Sequence, residues 1–232
     1  MSKRLRKHKK FIFGFHQRPA NEIFSHIPLE AFSEINRSDS IHFILLGGSF
    51  AYRNQAKLRG ISNVTFLNFS GDQILVQKFL NTLDVYAHGR KDGELNSTAI
   101  AEALRVGLPI VSHSSKQHMG HIECIGEGGK VVETVAEYSL EMNRLISDSR
   151  YYTMRSAEAK KQFSRLYELA GQMKRIEEIY EESFLMSRNA NFVEISRKYD
   201  CKWKFRSQRI FYSLRFYIKR FIRVIVPKDI VN

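Results

Sequence analysis

Cysteine is scarce in this chain: Cys124 and Cys201 are the only two in 232 residues, and neither has a partner at metal-ligand or redox-motif spacing. A reduced, cytoplasmic protein is the expectation. Long apolar runs are missing as well. No window approaches the roughly 18 uncharged apolar residues of a membrane span, and the basic N-terminus lacks the apolar stretch of a secretory signal. Internal repeats and low-complexity segments are absent. His88, His113, His118 and His121 match no defined ligand set, so no metal is expected, and they read as satisfied loop or core histidines. No recognised nucleic-acid-binding module accompanies the formal charge of +13.

That charge lies at the two ends. Residues 1–10 carry six Lys/Arg and no acid, and residues 201–232 carry nine Lys/Arg and one acid; removing +6 and +8 from +13 leaves −1 for residues 11–200. The body of the protein is nearly neutral, which argues against nucleic acid as partner. Within the C-terminal end, residues 206–226 drawn as a helix place Phe211, Leu214, Ile218, Phe221, Ile222 and Ile225 on one face and Arg209, Arg215, Lys219, Arg220 and Arg223 largely opposite. Two readings stand for this pattern. One is a basic helix lying in an anionic membrane surface, which would make the protein peripheral at the inner face of a membrane. The other is a terminal helix docking on protein, such as a separately encoded subunit.

Between the ends, short apolar runs alternate with helical patterns, the signature of a parallel α/β sheet. Strands are expected at 10–15, 41–46, 64–67, 85–88, 110–111 and 130–132, and helices at 28–35, after Gly47-Gly48 to about 59, at 73–83, and in three patterns from 134 to about 182. Residues 113–129 are rich in His, Gly and Ser and carry no expected helix. In a doubly wound sheet the ligand sits at the carboxyl edge of the strands, where the loops at Gly14, Gly47-Gly48, Phe69-Ser70 and Glu94 fall in this reading.

The most informative stretch runs from Gly93 to Ser112. Asn96, Ser97 and Thr98 are good helix starters, Gly107 stops the helix, and Pro109 forbids its continuation before the apolar Ile110-Val111. A helix N-terminus presents free N–H groups and partial positive charge, which suit a phosphate or a hydroxyl-rich ligand. Two carboxylates, Glu94 and Glu102, stand eight positions apart across that start. The helix alone leaves Glu102 two roles, a ligand contact or a solvated acid beside Arg105.

Glu94 to Glu102 matches the Glu-x7-Glu signature of retaining nucleotide-sugar glycosyltransferases of the GT-B fold, and Glu102 to Val111 resembles that family's "E-A-x-x-x-G-x-P-V-V" continuation. Asp84 to His88 is similar to its "D-V-F-x-x" strand, and Glu123 to Val131 to its "E-x-I-x-x-G-x-x-G-x-V" segment. The resemblance covers about residues 11–187, the donor-binding half of such an enzyme, with no counterpart of the acceptor-binding half. It implies a Rossmann-like three-layer α/β domain at 11–187, preceded by a basic segment at 1–10 and followed by a basic amphipathic C-terminal extension at 188–232.

The activity so implied is transfer of a hexose, with retention, from a nucleoside-diphosphate sugar to a glycan or lipid-linked acceptor, without metal or other cofactor. A separate subunit would supply the N-terminal half. Glu94 would contact donor-sugar hydroxyls, Asn96, Ser97 and Thr98 would meet the sugar and diphosphate, and Glu102 would grip the ribose. Phe13 to Pro19 resembles the family's first loop, where Gly14 lets the backbone approach the cleft and Arg18 would neutralise the departing diphosphate. The family's accompanying Lys is absent, with Asn21 near its place and Arg90 or Lys91 as substitutes. The family's glycine-aromatic-glycine run after the first Glu is likewise replaced, by Leu95-Asn96-Ser97. His16, Gly47 and Gly48 complete the expected donor site, and His88 can also face the sugar. A binding or regulatory module without turnover, or a membrane-surface adaptor, are the alternatives.

Overall fold

The computed structural model describes residues 10–35 and 40–188, with side chains to 182. It divides into two units, residues 1–172 and 173–232, and the described part of the second is the remainder of the last helix, Met173–Arg188. Of the expected basic segment at 1–10 only Lys10 is described, and the amphipathic stretch at 206–226 lies outside the described residues.

The first unit is a six-stranded, all-parallel sheet in the order β3-β2-β1-β4-β5-β6. Its strands are β1 (Phe11–Gln17), β2 (Ile41–Gly47), β3 (Val64–Leu67), β4 (Val85–Ala87), β5 (Ile110–His113) and β6 (Gly129–Val132). The helices are α1 (Ile27–Ile35), α2 (Phe50–Leu58), α3 (Gln73–Leu80), α4 (Thr98–Val106), α5 (Gly120–Ile125), α6 (Val135–Ser147), α7 (Ser149–Tyr167) and α8 (Leu169–Arg188). Helices α1, α2 and α6 make one layer, and α3, α4, α5 and α7 the other. Strand order runs outward from β1 in one direction and from β4 in the other, so β1 and β4 flank a topological switch point, where a doubly wound sheet opens its ligand crevice.

Covered on both faces, the central strands read as apolar runs, and Phe13, Phe15, Phe43, Leu45, Val85, Tyr86, Ile110 and Val111 are all buried. The phenylalanines form a connected line. Phe13 meets Phe32 edge-on, Phe32 meets Phe43, Phe43 meets Phe15, and Phe15 meets Tyr52 at 5.4 Å. This line ends on a hydroxyl with structural work. Beyond Ala87 the chain leaves the ladder, and its carbonyls need other donors. The Tyr138 hydroxyl reaches the carbonyls of His88 and Val111 at 3.0 and 2.9 Å, while the Tyr52 hydroxyl reaches Gln17 Oε1 at 3.1 Å and the Gly89 carbonyl at 3.4 Å. Burial pushes both phenols far above their usual range, so both stay protonated donors.

Two expectations are revised. The first strand extends past Phe15 to Gln17, placing His16 inside the sheet, and the His/Gly/Ser-rich stretch contains α5 followed by a 3₁₀ turn at Gly126–Gly128.

Candidate functional site

A cleft of about 400 Å³ opens at the carboxyl edge over the switch point. Its walls come from the end of β1 (Phe15 to Arg18), the β3–α3 loop (Phe69 to Gly71, with Gln73 and Val76), the β4–α4 loop (His88, Gly89, Arg90, Glu94, Asn96) and the start of α4 (Thr98, Ala99, Glu102).

Helix α4 forms where the sequence requires it. Ser97 is extended, and its Oγ accepts from the Ile100 N–H at 3.2 Å, while Gly107 closes the other end in the left-handed region. Ile100, Ala103 and Leu104 face the core, which leaves Glu102 on the side toward β1. There its Oε2 lies 2.9 Å from His16 Nε2. The other face of the His16 ring is held by the Tyr86 hydroxyl, 3.3 Å from Nδ1.

Glu94 is held more firmly. Its backbone N–H donates to His121 Nδ1 at 3.4 Å, and its carbonyl accepts from the His121 N–H at 2.9 Å, so α5 clasps the residue on both sides. His121 Nε2 donates in turn to the His113 carbonyl at 3.1 Å. Gly93, with φ +65° and no room for a β-carbon beside the His118 carbonyl, sets the turn that aims Glu94. Of the carboxylate oxygens, Oε1 accepts from Arg90 at 3.0 Å, and Oε2 stands 3.3 Å from His88 Nε2 without hydrogen-bond alignment. Burial would raise the Glu94 pKa, but His88, Ser97 and Arg90 outweigh it and hold the carboxyl below its usual range. Arg90 also forks onto Asp92, at 3.0 and 2.7 Å.

Arg18 caps the end of β1 with its side chain 60% exposed, 3.5 Å from the equally exposed Glu22. A surface pair of this kind is weak, so the guanidinium is available to an anion.

Six residues of the expected donor site therefore line one cleft, His16, Arg18, Glu94, Asn96, Thr98 and Glu102, together with His88 and Arg90, named beside them as alternatives. Four others have different surroundings. Gly14 is buried mid-strand, where a β-carbon would strike the Ile44 carbonyl, and so serves the packing of β1 on β2 and Leu83. Gly47 and Gly48, at φ +84° and +74°, turn the chain from β2 toward α2, with the Gly48 N–H donating to the Gln17 carbonyl at 2.7 Å. Ser97 is fully buried as the α4 cap. Sequence reasoning missed Gln17, Gly71 and Gln73 in the wall and the His121 clasp. The clasp joins positions 27 residues apart, and nothing local signals it.

Among the described residues no group of three or more His, Cys, Asp or Glu is placed to hold a metal ion, and no helix is long and apolar enough to cross a membrane.

Among solved structures, the fold is similar to HepE of Anabaena, in a complex with UDP and glucose, at TM-score 0.61 and 22% identity over 75% of this chain. It is also similar to the C-terminal domain of the group 1 glycosyl transferase LpcC from Francisella tularensis, at TM-score 0.58 and 17% identity, covering 68% of this chain and 86% of that domain. A third likeness is to the catalytic domain of cholesterol-α-glucosyltransferase from Helicobacter pylori, at TM-score 0.53 and 19% identity, covering 66% of this chain and 99% of that one. The chain spans about half of HepE, 48% of its length. No curated protein matches the sequence significantly. Residues 12–148, more than half of the chain, match the family model described as glycosyl transferases group 1, and the chain belongs to that family.

Proposed function

We propose that this chain is the donor-binding half of a retaining glycosyltransferase, which moves a hexose from a nucleoside-diphosphate sugar to a glycan or lipid-linked acceptor. The observation that carries the reading is that Glu94 and Glu102 face one cleft at the switch point of the sheet, with the N-terminus of α4 between them. Glu102 receives the ribose hydroxyls and Glu94 those of the sugar. Between the two, a diphosphate meets the start of α4, where the Ile100 N–H is taken by Ser97 and the earlier N–H groups of the turn face outward by helix geometry. As the glycosidic bond breaks, negative charge gathers on the departing diphosphate, and Arg18 with the helix start stabilises it. The UDP and glucose bound to HepE make UDP-glucose the first donor to try.

A second reading is favoured by the charge inventory. Arg90, the other guanidinium in the wall, is engaged with Asp92 and Glu94, so the cleft's Arg18, Arg90, Glu94 and Glu102 sum to no net charge. A half-cleft so balanced binds donor but needs a facing surface to complete the neutralisation, exclude water and place an acceptor. The chain is then a binding subunit until it meets such a partner.

A thermal-shift series with UDP, GDP, ADP and their sugar esters tests the donor site, since a bound nucleotide stabilises by mass action. One base is expected to raise the melting temperature well above the others. No shift from any of them at millimolar concentration removes the donor-site reading. Transfer or hydrolysis of the stabilising donor, followed by chromatography, separates the enzyme from the module.

A further inference from the structure

Two polar atoms in the cleft have no aligned partner. They are His88 Nε2 and Glu94 Oε2, 3.3 Å apart, on side chains only 5% and 12% exposed. Unsatisfied polar atoms in such a setting are costly, and two of them side by side on a ligand cleft point to a group that completes both. The chemistry of that group follows from their protons. His88 Nδ1 lies 2.7 Å from Ser112 Oγ. The nearby carboxylate favours the tautomer with hydrogen on Nε2, so Ser112 donates to Nδ1 and Nε2 becomes a buried donor beside Glu94. Glu94 Oε2 is an acceptor. What fits between them both accepts and donates, and a hydroxyl oxygen at about 2.8 Å from each satisfies the pair. The ring is fixed for this purpose, stacked on Tyr86 at 6.3 Å and 20°, with its own carbonyl held by Tyr138.

We propose that His88 reads the donor sugar: its Nε2–H and Glu94 Oε2 jointly receive one unsubstituted sugar hydroxyl, and this selects neutral hexoses bearing a free hydroxyl at that ring position. The proposal rests on the donor-site reading above. A protonated amino group at that position can donate to Glu94, yet it offers the His88 N–H no acceptor. A deoxy position leaves both atoms unmet. Discrimination against such analogues therefore comes from this pair, since a site built to bond a hydroxyl rejects ligands lacking it.

The test is a cycle between substrate hydroxyl and side chain. The nucleotide is whichever of UDP, GDP and ADP stabilises the protein most. Calorimetry measures it, its glucose ester and the four glucose esters lacking the hydroxyl at position 2, 3, 4 or 6, on the full chain and on His88→Phe and His88→Asn. Phe keeps the ring volume and Asn keeps a polar group, so at least one is expected to fold, as judged by its melting temperature. In the wild type, one deoxy donor should bind several-fold to tenfold more weakly than the glucose ester. In the variants the glucose ester should lose the His88 share of that factor, so that the deoxy penalty shrinks, while the free nucleotide and that deoxy donor bind unchanged. Equal deoxy penalties in wild type and variants, with the nucleotide still bound, overturn the role of His88 alone. Failure of every nucleotide to bind overturns the donor site and the inference with it.

Discussion

His16 and Glu102 are 86 positions apart in sequence, yet Nε2 of one lies 2.9 Å from Oε2 of the other across the gap between β1 and α4. The carboxylate assigned to the ribose is thus positioned before any nucleotide arrives. His16 is positioned in turn by the Tyr86 hydroxyl, from a strand whose side chains are otherwise core.

This pairing predicts a non-additive result. Glu102→Ala should lower affinity for the favoured nucleoside diphosphate at least tenfold, the scale of a charge-assisted hydrogen bond of about 1.5–3 kcal/mol. His16→Phe should lower it only a few-fold, by freeing the carboxylate to rotate. Because the two act as one unit, the double variant should bind no worse than Glu102→Ala alone. Full additivity in calorimetry would count against the pairing.

The turn at Gly93 makes a second prediction. An alanine there meets both a left-handed backbone, worth about 1–2 kcal/mol against an L side chain, and the His118 carbonyl. Gly93→Ala is expected to lower the melting temperature and to weaken binding of the sugar ester more than binding of the free nucleotide, because Glu94 is the next residue. A variant as stable as the wild type would show that the turn is not under this constraint.

Acid should weaken the fold through His113. Its Nε2 lies 2.7 Å from the buried Ser25 hydroxyl, and burial pushes its pKa down to about 4. The unfolded chain takes up this proton near pH 6.5, so a falling pH favours the unfolded state between 6.5 and about 4 and this group adds nothing further below. His121, lowered first by its burial and then by the neighbouring His88, acts in the same sense. The depressed carboxyl of Glu94 adds its loss at lower pH, as pH falls through its folded-state value. At roughly 1.4 kcal/mol per pH unit, His113 alone should remove about 2 kcal/mol between pH 6.5 and 5. Urea unfolding of wild type and His113→Leu over that range checks this. The variant begins less stable, with the Ser25 O–H deprived of its acceptor, but its pH slope should be shallower.

What the sequence revealed was local. Ser97, Gly107 and Pro109 announce α4 within a few residues, and the apolar runs announce the strands because burial on both faces leaves them no alternation to disguise. Spacing could not say which way Glu102 faces, since the helix offers it water or His16 equally, and the answer came from β1. Helix α5 escaped notice because six residues bounded by Gly120 and Gly126 carry too little periodicity to read. Gly14 packs β1 against β2, while Gly47 and Gly48 turn the chain out of β2 at positive φ, and a glycine near a carboxyl edge looks the same in sequence whether a ligand or a neighbouring part of the chain comes close.

The two cleft arginines give the final prediction, because their surroundings assign them opposite work. Arg18 is exposed, weakly paired with Glu22, and free to turn toward a phosphate. Arg90 is half-buried, with burial opposed by its bonds to Asp92 and by Glu94, and its net pKa is raised. Arg18→Gln should therefore weaken the nucleoside diphosphate several-fold and leave the bare nucleoside unaffected. It should also reduce the salt dependence of diphosphate binding, since a screened charge has been removed. Arg90→Gln should do the reverse. It leaves Asp92 and Glu94 facing each other without a cation, lowers the melting temperature, and weakens the sugar ester relative to the nucleoside diphosphate by loosening Glu94. If Arg90→Gln instead selectively lost diphosphate affinity while stability held, Arg90 would be the missing second phosphate cation, and its bonds to Asp92 and Glu94 would have to break when donor binds.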